Sequence, residues 1–215
     1  MAVEPYNIDE EISSLCSTGL RPHTLTGIVL RLLTRHFSTA RGIQEPQLQS
    51  YIWDDDPKIS KILIAPVWRW LTPNQQQRPA ILVKRNALRP RQLALGDGQT
   101  LVGEISEDKI PANQEVISQI AMAGSHTVFA VAAAAAQAEL LGNEISMRLI
   151  QYQQAIQKDF GFNRFRVAEI GALSKVEESD ETFAVPITVA YTYVDAWSIW
   201  SSAPFLKRLV TKASV

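Results

Sequence analysis

The chain has 215 residues, 46% apolar and 20% charged, which suits a globular fold with a sizeable core and excludes a disordered or collagen-like composition. Its 21 basic and 22 acidic residues nearly cancel, so the protein as a whole has no strong field to draw it to nucleic acid or an anionic membrane. Cys16 is the only cysteine, which excludes an intrachain disulfide and a multi-cysteine metal site and points to a reducing compartment. The longest small and apolar run, Val128 to Ala136, is about half the ~20 residues a spanning helix needs, so a soluble protein is expected. Glu4, Asp9, Glu10 and Glu11 without a basic-then-apolar run argue against a secretory signal.

In chain order, Asn7 is a candidate cap for a short N-terminal helix carrying Ile8, Ile12 and Leu15 at helical spacing. A second helix follows Pro22, with Leu25, Val29, Leu32, Leu33 and His36 on one face, Arg31 and Arg35 toward its negative end, and Gly42 as its stop. Tyr51 to Trp70 reads as one or two strands. After a polar turn at Pro73 and residues 74–77, Ala80-Ile81-Leu82-Val83 reads as a buried central strand.

Residues 86–120 hold Pro90, Gly96, Gly98, Gly103 and Pro111 among scattered charges, a long excursion or hairpin and a candidate contact element. A third strand is expected after Gly124, with His126, Val128 and Ala130 alternating against Thr127, Phe129 and Val131. The strongest helical pattern comes next. Leu141, Ile145, Leu149, Tyr152, Ile156 and Phe160 form a stripe that must lie on a sheet, and Gly161 ends the helix. Phe165 to Val176 and Thr182 to Tyr193 read as paired strands joined by an acidic turn at Glu177 to Glu181. Beyond them an arm carries Trp197, Trp200, Phe205, Leu206 and Leu209, with Ser201 or Ser202 as a cap and Pro204 in a first helical turn. That much apolar area needs a cover, which makes these five residues the candidate assembly interface.

The sequence holds few candidates for catalytic or metal chemistry. His23, His36 and His126 show no metal-ligand spacing, and Asp54-Asp55-Asp56 lacks the spaced donors and glycine of a calcium loop. A metal-dependent nuclease pattern fails because Leu82 and Val83, not a carboxylate, precede Lys84. Ser125 and His126 are strand neighbours on opposite faces and cannot form a dyad, so His126 reads as a packed strand residue. Gly96-Asp97-Gly98 is a turn without the remainder of a phosphate loop. Arg78, Lys84, Arg85, Arg89 and Arg91 make a basic concentration near Trp68 and Trp70, a nucleic-acid surface only if they share one face. No catalytic residue, metal site or cofactor is assigned.

The order of a helix, the Arg78-to-Val83 strand, the Gly124-to-Val131 strand, a long helix and a closing pair that ends with Ile187 to Tyr193 resembles the neck and tail-completion proteins of tailed bacteriophages, especially tail terminators. The match covers roughly residues 22 to 197. The resemblance implies an α+β domain in which a mostly antiparallel sheet packs against a long amphipathic helix and a shorter N-terminal one. It implies a virion protein rather than an enzyme, assembled in the host cytoplasm into a homo-oligomeric ring, a hexamer, that caps the tail tube protein and meets the head-side connector. DNA would pass through the ring without specific recognition. The 86–120 excursion and the aromatic arm depart from the family pattern and keep a head-closure protein as the alternative, with a nucleic-acid module or an unrecognised enzyme behind it. The expected organisation is an N-terminal arm over 1–20, one domain over 21–197 and a C-terminal arm over 198–215.

Overall fold

The computed structural model describes residues 22–70, 79–91, 100–101, 115–176 and 182–200. The first helix, α1 (Pro22–Phe37), turns Leu25, Val29, Leu33 and Phe37 inward, so its apolar spacing becomes one buried face. It ends at Phe37, before Gly42, and two short 3-10 turns, Ala40–Gly42 and Pro46–Leu48, carry the chain away.

The stretch from Tyr51 to Trp70 yields only one strand, β1 (Leu63–Pro66), where one or two were expected. Polar side chains take the backbone donors of the earlier part. Asp54 Oδ1 accepts from the Asp56 amide at 2.9 Å, Asp56 Oδ1 from the Lys58 amide at 2.9 Å, and Ser60 Oγ from the Asp54 amide at 3.2 Å. Local turns thus satisfy groups that a ladder would otherwise need.

Strand β2 (Ala80–Pro90) is buried on both faces over its first four residues, as the unbroken apolar run requires, and lies between β1 and β4 (Glu115–Ala132). A two-residue strand, β3 (Thr100–Leu101), flanks β4 opposite Gln119 and Ser118. Helix α2 (Ala135–Asp159) follows. It closes on Gly161 at φ 67°, with the Phe162 amide donating back to the Gln157 carbonyl at 3.0 Å, the left-handed cap that glycine permits. Strands β5 (Arg164–Ile170), β6 (Ser174–Lys175) and β7 (Phe183–Trp200) complete an α+β fold whose sheet runs β1-β2-β4-β7-β5. The β1–β2 pairing is parallel; β2–β4, β3–β4, β4–β7, β5–β7 and β6–β7 are antiparallel.

Both helices cover the same face of the sheet, α1 on β1 and β2 and α2 on β4, β5 and β7. Leu141, Ile145, Leu149 and Ile156 of α2 are buried there against Val128, Ala130, Val185, Ile187 and Val189. Tyr152 departs from the expected stripe: it is exposed, with the Arg148 guanidinium stacked 3.9 Å from its ring centre. On the opposite face, a small cluster of Ala80, Leu82, Val131 and Ala184 is joined by Leu63, Trp70, Phe129 and Val176. No described helix packs on the remainder of that face.

Candidate assembly surface

The third strand was expected to begin after Gly124, but β4 runs through it from Glu115. Gly124 is a site of close approach rather than a breaker. A Cβ there would lie 2.7 Å from Leu88 Cδ1 and 3.0 Å from Tyr191 Cε2 and Oη, so the missing side chain lets the two neighbours meet over the strand. The closing strand was expected to end at Tyr193, whereas β7 continues to Trp200, in register with β4 from Ala132↔Phe183 to Glu115↔Trp200.

At roughly 3.3 Å per residue, these two 18-residue strands are about 60 Å long, against about 37 Å for the 25 residues of α2. The core ends near Met122 and Tyr193. Beyond them, 115–121 pairs with 194–200 as a ribbon that outruns the helix layer. On its other side, β7 meets β5 only as far as Thr192, so among the described residues the edge of β7 from Tyr193 onward has no strand partner. An unpaired edge of this length is a template for another chain.

Of the candidate interface residues, Trp197 and Trp200 stand in this ribbon opposite Ser118 and Glu115, not in an arm past the sheet. Phe205, Leu206 and Leu209 lie outside the described residues, as do the N-terminal helix, the polar turn at 73–77, the turn at 177–181 and most of the 86–120 excursion.

Two buried polar contacts hold the layers that carry the ribbon. His36 Nε2 donates to Glu144 Oε1 at 2.7 Å, and the amides of Gln44 and Glu45 donate to the same carboxylate at 3.1 to 3.2 Å. Glu144 therefore ties α2 to the end of α1 and to the segment after it. Burial foremost, with the Arg148 charge, holds His36 below its usual pKa, although its bond to Glu144 acts the other way. The neutral ring needs one proton for this bond, which places it on Nε2.

His126 is the second contact. It is fully buried, its Nε2 lies 2.9 Å from Thr26 Oγ1 of α1, and its ring centre lies 5.5 Å from that of Tyr191. Burial and then the Arg85 charge lower its pKa to about 4. It is the packed strand residue that its alternation suggested. Ser125, on the other face, accepts from Asn86 Nδ2 at 3.0 Å, so Ser125 and His126 form no dyad. Neither Glu144 nor its link to His36 was singled out in the sequence; the only trace was a glutamate three residues after Leu141, beside the apolar stripe.

Asp54, Asp55 and Asp56 are exposed on a loop, and no group of three or more potential metal ligands occurs among the described residues. No described helix is long and apolar enough to cross a membrane. Of the described basic residues after position 78, Lys84, Arg89 and Arg91 stand on the face away from the helices, opposite Thr127, Ala123 and Ala121, whereas Arg85 pairs with His126 on the helix-covered face. In comparisons with known proteins, no family model matches the chain, and no curated protein matches it.

Proposed function

We propose that this chain is a self-assembling structural subunit, a virion protein of the tail-terminator kind that builds a ring between the tail tube and the head-side connector. The observation that supports this reading is the β4–β7 ribbon, which outruns the helix layer, includes positions 197 and 200, and has along β7 from Tyr193 onward no second strand partner among the described residues. A long amphipathic helix on a mostly antiparallel sheet agrees with the family the sequence resembles. Edge pairing supplies backbone hydrogen bonds in register, and large aromatic groups beside that edge would add the apolar area that holds subunits together. The functional groups of such a protein are its surfaces, and the buried histidines serve to hold the layers rigid beneath them.

Sedimentation and negative-stain imaging of the purified full chain test the proposal. A closed ring with about six times the 23.9 kDa mass of one chain is expected. A monomer at micromolar concentration that forms no ring when mixed with tail tubes would overturn it.

A further inference from the structure

Residues on the sheet face that no described helix covers follow from the register. Lys84, Arg89 and Arg91 stand along β2 and its end, the Arg91 amide bonding the Ala121 carbonyl, while Arg164 and Arg166 stand on β5 opposite Thr192 and Ala190. All five are exposed, and the one exposed carboxylate in the same described rows is Glu169, opposite Thr188. Between these two cationic rails, β4 and β7 present Ala123, Ser125, Thr127, Thr188, Ala190 and Thr192, small and uncharged. Three strand spacings separate the rails, roughly 14 Å, enough to seat an α-helix of about 10–12 Å between them.

The complementary charge is in the chain itself. Residues 1–20 contain Glu4, Asp9, Glu10 and Glu11 with no lysine or arginine, and Ile8, Ile12 and Leu15 recur at helical spacing. This segment precedes α1, which lies on the opposite, covered face, so the open face of a neighbouring subunit offers a seat without passage around its own sheet. We propose that the open face of the sheet, between the Lys84–Arg91 and Arg164–Arg166 rails, is the docking site for the acidic segment of residues 1–20 from a second copy. The docking rests on the self-assembly reading and gives it a direction: each subunit would hold the N-terminal segment of the next, a head-to-tail contact that closes into a ring. Opposite charge brings the segment to the face and sets its orientation.

The test uses the full chain, with 15N-labelled and unlabelled protein mixed, reassembled and treated with a carbodiimide. Mass spectrometry is expected to find Lys84 joined to one of Glu4, Asp9, Glu10 or Glu11 in peptides of mixed isotope. The R164E/R166E variant should weaken assembly about tenfold or more, and adding E10K and E11K to it should restore both assembly and ring size. The rescue separates lost docking from lost folding. Joined peptides of a single isotope only would overturn the proposal in favour of docking within one chain. A ring that forms without the linkage, and that R164E/R166E leaves intact, would overturn it while the assembly reading stands. A monomeric wild type would overturn both. Retention on a mixed-sequence DNA duplex at physiological salt, abolished by R164E/R166E and unaccompanied by the linkage, would assign the face to nucleic acid instead.

Discussion

Glu144 joins three segments, because one buried carboxylate accepts from His36 and from two backbone amides of another segment. Replacing it by Ala strands those donors, so Glu144→Ala should cost about 3–5 kcal/mol, read as a lower urea midpoint. His126 sets a pH dependence whose sign follows from its lowered pKa. The unfolded chain, with His126 near 6.5, takes up a proton before the folded chain does at about 4. Stability is therefore full above the usual histidine pKa and is lost as pH falls from there to about 4, by about 3 kcal/mol in all. Thermal unfolding from pH 7 to pH 4 should show a flatter decline in His126→Gln than in the wild type. His36 adds a loss of the same sign, since burial lowers its pKa too.

Among the elements, α2 is the test of packing. Leu149 is fully buried in the middle of its apolar stripe, and Leu149→Ala should destabilise the protein by about 2–5 kcal/mol in equilibrium denaturation. The end of this helix depends on Gly161 in the left-handed region, where a Cβ is strained; Gly161→Ala should cost about 1–2 kcal/mol. Strand β4 depends on a glycine for another reason. Gly124→Val would drive methyl groups into Leu88 and Tyr191, and about 1–3 kcal/mol of overpacking, with a shifted near-ultraviolet spectrum from the tyrosine, is expected.

In the molecule taken together, the helix-covered body and the β4–β7 ribbon are distinct parts. The body contains the buried cluster that runs from Leu25 to Tyr193, and the ribbon lies past it. Truncation after Tyr193 removes every β7 partner of residues 115–121 while sparing that cluster. The shortened protein should keep its circular dichroism and a cooperative thermal transition but sediment as a monomer. Unfolding of the shortened chain would place the ribbon in the core and remove it as an assembly element.

Helices α1 and α2, the buried face of α1, the Leu141, Ile145, Leu149 and Ile156 stripe of α2 and the alternation around His126 were legible in the sequence, because these patterns repeat within a few residues and each local choice points the same way. It also marked Ala80 to Val83 as a strand buried on both sides, from an unbroken apolar run. Tertiary structure decided how far the strands extend. Gly124 reads as a strand start and Tyr193 as a strand end, yet pairing across the register from Ala132↔Phe183 to Glu115↔Trp200 carries both strands past those points. Only the fold could bring His36 to Glu144, 108 residues away, since a buried polar contact leaves no periodic trace. The same holds for the charged face: a basic run along 78–91 splits between two sides of a sheet whose side chains alternate, and its partners across the open face, Arg164 and Arg166, come from a strand some 75 residues later that only β-pairing places opposite.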